Sequence, residues 1–433
     1  MGKVIITSEK LKNILWLVAY YIILSLIYVF WLSPVYSYQG FILSNSTGCL
    51  FFGLLIMVVT SFCTASLIER DGISDTILTL VILLYFFPQI VLYSFGLNAT
   101  KYFLFVTLYM FGLLLANRFF PIVKNKVQLR ERANLFELVL VILGLSMVLI
   151  SGAFAGFRIS FNLSDYYEYR FEVREMAMPG IIKYVLNWAR ALLPIGLTYA
   201  LVKKKKWLVI FTTVAQILCF SFDGKKSALF MFFLAFVVSF VFKSSYRRKM
   251  PLFMCLLGGS VFLESALRAG ESFIGKHILR RMMFVPPYLG WAYFDFFSKN
   301  ELDYLKSSIL RWIGFKSSYS EAIPRLIGRM YYLSSSSGAV NANTGLCGDA
   351  FSNFGWWSLL FYPIMNILIF KIIGKYAEGL DERLQIIISL TVAYTFLSGS
   401  FFSVLLTNGI LLLILLLILL PKSDLLSENS QSR

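Results

Sequence analysis

The chain has 433 residues, of which 58% are hydrophobic and 15% are charged, and its formal net charge is +17 at pH 7. Soluble domains are usually about 45–50% apolar and about 25% charged, so this composition indicates a membrane protein and argues against a soluble one. An excess of Lys and Arg is typical of the orientation signals of membrane proteins, and we expect no nucleic-acid partner.

Apolar runs of about 20 residues recur along the chain and predict an all-α, polytopic integral membrane protein. A helix of that length crosses the hydrocarbon core of a bilayer, whereas the strands of a membrane β-barrel alternate in polarity over about ten residues. We interpret residues 1–433 as a single integral membrane domain with about 12 transmembrane helices. The predicted spans lie near 13–33, 47–68, 75–95, 101–120, 134–154, 181–202, 207–222, 227–243, 250–267, 351–373, 384–402 and 404–420.

Basic residues in the short loops predict that both termini are cytoplasmic. Cytoplasmic loops are enriched in Lys and Arg, and the runs 203–206 and 243–249 lie on that side when the N-terminus is inside. The opposite short loops, 34–40 and 95–100, contain no basic residue. The polar tail, 421–433, is predicted to be disordered.

Two longer segments, 155–180 and 268–350, are predicted outer loops, and they combine tyrosines, acidic residues and arginines. The second is predicted to contain short helices. Long loops are exempt from the charge rule. We therefore expect the polar chemistry of the protein to be concentrated on the outer side of the membrane.

The first outer loop carries Arg170 and Arg174 in a stretch that includes Tyr167. As a helix, which we favour because a lone strand would lack a partner, it places both arginines on one face at i, i+4. As a strand, its alternation also places them on one face. Planar guanidiniums suit bidentate phosphate binding. The alternative is a solvated face on which the arginines pair with Glu168, Glu172 and Glu175.

Three further basic residues lie where membrane proteins usually avoid them. Lys225 and Lys226 lie in the tight outer turn 221–227, where they could hold a pyrophosphate or, alternatively, extend to lipid head groups. Arg190 lies inside an otherwise apolar span, and an intramembrane arginine is a functional candidate.

The second outer loop begins with a basic segment that ends at Arg280 and Arg281. The following stretch, 282–297, is too apolar for a water-exposed loop, and we predict that it lies in the membrane interface or re-enters the membrane. Tyr293 is one of its aromatic residues, and Asp295 is a candidate site residue because a carboxylate is costly in such surroundings.

The rest of this loop offers weaker patterns. Apolar residues at helical spacing over 302–312 predict a surface-lying amphipathic helix. Small residues and amides in 341–355 precede the next span and include Asp349 and Asn353; they could bind sugar or form only a loop and a helix cap. We interpret His277, the single histidine, as structural. Five cysteines without paired spacing predict neither disulfides nor a zinc site, and we expect no metal and no cofactor.

Taken in order, these features resemble the O-antigen polymerases of Gram-negative bacteria, the Wzy family. The resemblance covers most of the chain, and the order of the motifs carries it because each motif alone is weakly specific. The motifs are the dozen spans, the Tyr/Arg-rich loop ending at Pro179–Gly180, the Asn187–Pro194 helix, the 223–227 turn, the 280–297 stretch and the 345–355 segment. The family is described by an Arg-x10-Gly pattern in two periplasmic loops, whereas here nine residues separate Arg170 from Gly180 and eight separate Arg329 from Gly338.

The resemblance implies a GT-C-like helical bundle in the bacterial inner membrane with its long loops in the periplasm. It implies an inverting glycosyltransferase whose donor and acceptor are both undecaprenyl-pyrophosphate-linked oligosaccharides. The growing glycan would move to the non-reducing end of a new unit, and a chain-length regulator (Wzz) would be a partner. The alternatives are an O-antigen ligase, in which His277 would be central, and a lipid-linked oligosaccharide flippase or other transporter.

For such a reaction the expected roles follow from charge. Asp295 or Asp349 would be the general base, and Arg170 and Arg281 would stabilise the charge on the leaving group. The expected substrate-binding residues are Lys225, Lys226, Arg174, Arg190, Arg280, Arg329, Tyr167, Tyr293 and Asn353.

Overall fold

The computed structural model describes residues 7–44, 46–120, 132–157, 179–223, 226–268, 270–331 and 341–420, with the side chains of 223–229 and 244 excepted. Every regular element within these ranges is helical. The predicted features that lie outside the described residues are Arg170, Arg174, Tyr167, Lys225, the side chain of Lys226 and the 421–433 tail.

The described part contains 17 α-helices, interrupted by short π-helical and 3-10 segments. The α-helices are α1 Ser8–Ile27, α2 Ser33–Tyr36, α3 Thr47–Arg70, α4 Ile73–Val81, α5 Phe87–Leu92, α6 Thr100–Phe119, α7 Ala133–Phe154, α8 Gly180–Val202, α9 Lys206–Asp223, α10 Lys226–Val241, α11 Met250–Leu267, α12 Val285–Phe297, α13 Ile323–Tyr331, α14 Leu346–Phe354, α15 Tyr362–Ala377, α16 Glu382–Ser398 and α17 Ile410–Leu417. The π-helical segments are Tyr28–Leu32, Ile82–Phe86, Tyr93–Leu97, Gly275–Phe284 and Ser403–Thr407.

Seven helical stretches in the described ranges are long and apolar enough to cross a membrane, and each coincides with a predicted span. They are Ser8–Gln39, Thr47–Arg70, Ile73–Leu97, Thr100–Phe119, Ala133–Phe154, Gly180–Val202 and Ser245–Leu267. An eighth candidate is the pair Leu346–Leu360 and Tyr362–Ala377, which is bent by 90°. The protein is therefore an all-α, polytopic membrane protein. Shorter helices lie at the other four predicted spans, so the count of twelve stays a prediction.

The chain forms two compact units. Unit 1 comprises Met1–Pro121, Ser245–Lys371 and Ala393–Phe401, and unit 2 comprises Ile122–Ser244, Ile372–Val392 and Phe402–Arg433.

At the centre of unit 1 lies the helical stretch Ile73–Leu97, whose apolar span is completely buried. Two π-helical turns interrupt it, at Ile82–Phe86 and Tyr93–Leu97, and such turns are frequent near functional sites. Helices α1, α3 and α6 pack around it. Their outer faces expose large apolar side chains such as Phe30 and Phe51, as expected of surfaces that contact lipid.

Helix termini of unit 1 meet at two opposite ends. At the first end, Arg248 lies 3.5 Å from Glu9 and 3.7 Å from Asp71, which joins the start of α1 to the end of α3. Asn117, near the end of α6, donates a hydrogen bond to the buried carboxylate of Asp75 over 2.6 Å. Because these helices are antiparallel neighbours, the end of α1 and the start of α6 lie at the second end, where the candidate site is found.

In unit 2, α7 packs against α8 and α9 at close distance. A Cβ at Gly196 would lie 2.7 Å from the Leu140 side chain, and a Cβ at Gly144 would lie 2.8 Å from the Phe211 ring, so glycine permits both approaches. Buried Glu137 accepts hydrogen bonds from Tyr199, over 2.8 Å, and from Lys205.

Residues 302–312 do not form the predicted amphipathic helix. Tyr304 and Leu305 have φ angles of 50° and 63°, a left-handed conformation that a right-handed helix excludes. The Asp303 carboxylate also accepts hydrogen bonds from the Ser307 N–H, over 2.9 Å, and from its hydroxyl, over 2.6 Å. Such local bonds compete with helical hydrogen bonding, so the helix predicted from the apolar spacing was wrong for this segment.

We expect Glu137→Ala to lower the free energy of unfolding by about 1–3 kcal/mol, because the buried Tyr199 hydroxyl and the Lys205 ammonium lose their acceptor. Thermal unfolding of the purified protein in detergent measures this. Glu382→Ala, which removes an exposed glutamate of the same unit, is the control. Equal midpoints for the two variants would contradict the structural role of Glu137.

Candidate functional site

The candidate site of unit 1 is built on one continuous helical stretch, Gly275–Phe297, which we call the rim helix. It consists of the π-helical segment Gly275–Phe284 followed by α12. Its apolar side is buried: Phe284 lies against the Tyr28 ring, and the Tyr20 hydroxyl lies 3.6 Å from the Met283 sulfur. The apolar stretch 282–297 thus packs inside unit 1, and that it lies in the membrane interface or re-enters the membrane stays a prediction.

The first half of the rim helix presents two neighbouring guanidiniums. Arg280 is only 6% exposed; its guanidinium carbon lies 4.4 Å from the centroid of the Tyr36 ring, and it donates a hydrogen bond to Gln39 Oε1. Burying a cation is costly unless it is paired in this way. Arg281 is exposed, and no carboxylate among the described residues pairs with it. Lys276 is exposed nearby. We call Lys276, Arg280 and Arg281 the cation cluster, and it could bind a phosphate.

The last turn of the rim helix presents Asp295, whose carboxylate is held by two donors. Lys299 Nζ lies 2.8 Å from Oδ1, and the Tyr331 hydroxyl donates to Oδ2 over 2.7 Å. Burial, followed by the adjacent Asp295 carboxylate, raises the pKa of Tyr331, so this hydroxyl keeps its proton and remains a donor. The Asp295 side chain remains 28% exposed, so a substrate can reach it.

Aromatic rings line the surface beside Asp295. Trp291 lies one helical turn earlier, and its ring meets the Tyr331 ring edge-on at 5.8 Å. Tyr288 lies 5.4 Å from Trp291, and its hydroxyl donates to the Tyr331 carbonyl over 3.1 Å. Tyr288 is buried, whereas Trp291 and Tyr331 are half-exposed. Half-exposed rings next to a carboxylate suit sugars, whose apolar faces stack on aromatic side chains while their hydroxyls form hydrogen bonds.

The turn after α2 connects the two halves of the site. Gly40 has φ of 92°, and a Cβ there would clash with the Tyr288 hydroxyl, so only glycine lets the turn pack this closely. Phe41 packs on the Tyr288 ring at 5.2 Å. These contacts fix the turn against the middle of the rim helix, where Phe41 and Tyr288 are both buried. The 15 intervening helical steps correspond to about 20 Å, so the cation cluster and the carboxylate are separate subsites.

Asp349, the other candidate base, is buried and bonded on both oxygens. Its Oδ2 accepts from the Phe401 N–H over 2.8 Å, and its Oδ1 accepts from Asn353 over 3.1 Å. Asn353 in turn accepts from the Leu305 N–H over 2.8 Å. Tyr293 is likewise buried and donates to the Ala342 carbonyl over 2.9 Å. These three side chains hold segments of the chain together, and their geometry favours a structural role.

The remaining predicted residues lie apart from these subsites. Arg329 is exposed and pairs with Glu321 on the same short segment. Arg190 belongs to unit 2, is half-buried and lies 3.3 Å from Asn187 Oδ1. His277 is half-buried against the Phe273 ring at 4.6 Å.

Several residues of the site were not among the predicted ones. Lys299 lies four residues after Asp295, a spacing that the sequence does reveal. Tyr331 is 36 residues from Asp295, and Tyr36 and Gln39 are more than 200 residues from Arg280, so no local pattern indicates them.

Within the described residues, no group of three or more His, Cys, Asp or Glu side chains could hold a metal ion. No protein-family model, no curated protein and no solved structure matches the chain. The proposed function therefore rests on the geometry of unit 1.

Truncation of the two carboxylates should lower the free energy of unfolding by different amounts. Asp349→Ala leaves buried donors of Phe401 and Asn353 without an acceptor and should lower the free energy of unfolding by about 2–4 kcal/mol. Asp295→Ala removes hydrogen bonds that are partly exposed to solvent and should lower the free energy of unfolding by less than about 1 kcal/mol. Thermal unfolding in detergent distinguishes them, and a larger loss for Asp295→Ala would reverse the two assignments.

Proposed function

We propose that the protein is a membrane glycosyltransferase that polymerises undecaprenyl-pyrophosphate-linked oligosaccharide units, as O-antigen polymerases do. The observation that carries this proposal is the spacing on the rim helix. The exposed guanidinium of Arg281 lies in the first half of the rim helix, and the oriented, accessible carboxylate of Asp295 lies about 20 Å further along it. That separation suits an acceptor whose reactive hydroxyl is several sugars away from its pyrophosphate.

In this proposal the acceptor unit lies along the rim helix. Its pyrophosphate binds Arg281 and Lys276, the exposed members of the cation cluster, which offer charged donors. Its sugars extend past Tyr288 and stack on Trp291. The non-reducing end then reaches Asp295. An acceptor of one sugar could not contact both subsites at once, and this distinguishes the reaction from transfer to a short lipid-linked acceptor.

Asp295 acts as the general base of the transfer. The acceptor hydroxyl oxygen attacks the anomeric carbon of the donor glycan, and its proton passes to the Asp295 carboxylate. The bond from that carbon to the donor pyrophosphate breaks, and its electron pair leaves with undecaprenyl pyrophosphate. Attack from the face opposite the leaving group inverts the anomeric configuration. Lys299 and Tyr331 orient the carboxylate, which preserves the geometry that proton transfer needs.

Cations near the donor would stabilise the pyrophosphate as it departs. Lys299 is exposed beside Asp295 and is the described residue closest to that position. Arg170, Lys225 and Lys226 are further candidates for the same role, and Arg174, Arg190, Arg329 and Tyr167 are candidates for substrate binding.

The proposed location is the bacterial inner membrane, with both termini cytoplasmic and the rim helix on the periplasmic side. The first end of unit 1 carries Arg70, Arg118, Arg247 and Arg248 near helix termini, and an excess of basic residues is typical of the cytoplasmic side. The rim helix lies at the second end of the unit. A chain-length regulator would be the protein partner.

Asp295→Asn should lower kcat about 10²–10⁴-fold, the usual contribution of a general base, with little change in KM. The assay follows glycan elongation by the purified protein in nanodiscs, with synthetic undecaprenyl-pyrophosphate repeat units as donor and acceptor. Glu301→Gln makes the same chemical change at an exposed carboxylate and should leave kcat unchanged. Normal turnover by Asp295→Asn would exclude this base.

Arg281→Gln should raise KM for the lipid-linked acceptor about 10–100-fold, since a charge-assisted bond to phosphate is lost. Arg325→Gln, at another exposed arginine of unit 1, is the matched control. Acceptors with progressively fewer sugars should lose activity once they are too short to reach Asp295. Equal elongation of one-sugar acceptors would contradict the two-subsite geometry.

The alternative functions predict different products in the same experiments. Transfer of finished glycan only to lipid A core would identify a ligase. Accumulation of lipid-linked units on the cytoplasmic leaflet of a deletion strain would identify a flippase.

A further inference from the structure

A short turn after the rim helix exposes large apolar side chains outside the candidate spans. We call residues 310–315 the apolar knuckle. Trp312 is 66% exposed, Ile313 is 71% exposed and Phe315 is 52% exposed. Such a cluster on an otherwise polar segment indicates a surface that is covered by lipid or by protein.

The knuckle has a defined shape because buried polar groups hold its base. Asp303 is 2% exposed, and its carboxylate accepts from both groups of Ser307 and from the Ser317 hydroxyl, over 3.2 Å. These bonds close the loop on both sides of the knuckle. Gly314, with φ of 95°, completes the turn. The apolar side chains are therefore presented outward by the fold.

The base of the knuckle is attached where α14 ends. The Asp303 N–H donates to the Ser352 carbonyl over 2.9 Å, and the Leu305 N–H donates to Asn353 Oδ1 over 2.8 Å. Immediately beyond α14 the candidate span bends by 90°, and there Trp357 is 74% exposed. Exposed tryptophans are enriched where membrane helices meet the head groups. The knuckle is thus attached to unit 1 at a level typical of the membrane interface.

The charge of the residues around the apolar knuckle favours lipid over protein as its partner. Residues 306–318 contain Lys306, Arg311 and Lys316 and no acidic residue. Lys306 pairs with Glu301 over 3.3 Å, whereas Arg311 and Lys316 are exposed beside the apolar side chains. An apolar tip surrounded by basic side chains matches the acyl boundary and the anionic head groups of a bilayer, respectively. We propose that the apolar knuckle inserts into the interface of the membrane and binds anionic phospholipid around its base.

Insertion would fix the end of the rim helix relative to the bilayer. Tyr319, which follows the knuckle, packs on Phe296 at 5.7 Å and on Phe297 at 5.8 Å, and its hydroxyl donates to the Glu301 carbonyl. The last turn of the rim helix, which carries Asp295, is therefore attached to the knuckle. This inference concerns membrane contact alone and does not depend on the proposed reaction.

The test uses the full chain without its native cysteines, in nanodiscs of phosphatidylglycerol and phosphatidylcholine. Ile313→Cys labelled with bimane should be quenched several-fold more by lipids brominated on their acyl chains than Ser320→Cys, an exposed control on the same segment. Equal quenching at both positions would place the knuckle in water. Shielding of residue 313 from iodide without quenching by lipid would mean that protein covers it. Either result overturns the proposal.

A second measurement tests the charge. The Arg311→Glu/Lys316→Glu variant should lower lipid quenching at residue 313 in nanodiscs that contain phosphatidylglycerol, whereas Arg325→Glu, which lies outside the knuckle, should not. Omitting phosphatidylglycerol from the nanodiscs should lower lipid quenching at residue 313 as the double charge reversal does. Quenching that is insensitive to both changes would overturn the anionic-lipid part of the proposal.

Discussion

The burial of Arg280 in an apolar helical unit is the constraint on which the candidate site depends. A guanidinium cannot be deprotonated at any ordinary pH, so its charge must be compensated where it lies. Tyr36 supplies a ring face and Gln39 supplies an oxygen. Because Tyr36 ends α2 and Gln39 lies in the turn that follows it, satisfying Arg280 fixes that turn against the rim helix. The close approach of Gly40 to Tyr288 then extends the contact along the helix.

Two carboxylates of unit 1 show how environment separates structural from chemical roles. Asp349 and Asp295 both lie next to aromatic residues and polar turns in the sequence. Asp349 has each oxygen bonded to a buried donor. Asp295 is also bonded on both oxygens, but it is 28% exposed and its partner Lys299 is 67% exposed. Accessibility separates the two carboxylates, since residue type and charge are the same.

The two proposed contacts, with a glycan and with the membrane, lie on adjacent parts of the same segment. The rim helix offers charged and aromatic side chains toward solvent, while the knuckle that follows offers apolar side chains with a basic surround. Tyr319 connects the two by packing on Phe296 and Phe297 at the end of the rim helix. A lipid-linked glycan has its lipid in the bilayer and its sugars in water, and a surface that contacts both phases at fixed levels suits such a substrate.

Much of the fold class could be predicted from the sequence because it depends on local composition. Apolar run length determined the membrane class and the positions of the seven long spans, since a helix must cover the hydrocarbon thickness. The apolar composition of 282–297 agrees with its packing inside unit 1, whereas its position in the membrane interface stays a prediction. The pair formed by Asp295 and Lys299 follows from helical spacing. The twelve-span count, the orientation and the function remain predictions.

Only the tertiary structure decided which distant residues meet. Tyr331 reaches Asp295, and Gln39 reaches Arg280, because helix packing brings together segments that no periodicity relates. The structural role of Asp349 depends on the Phe401 N–H, a backbone group whose position no residue type indicates. The 302–312 segment failed as a helix because the Asp303 carboxylate competed for its backbone donors. Composition and spacing thus determined the elements and their surroundings, whereas long-range hydrogen bonds determined the site.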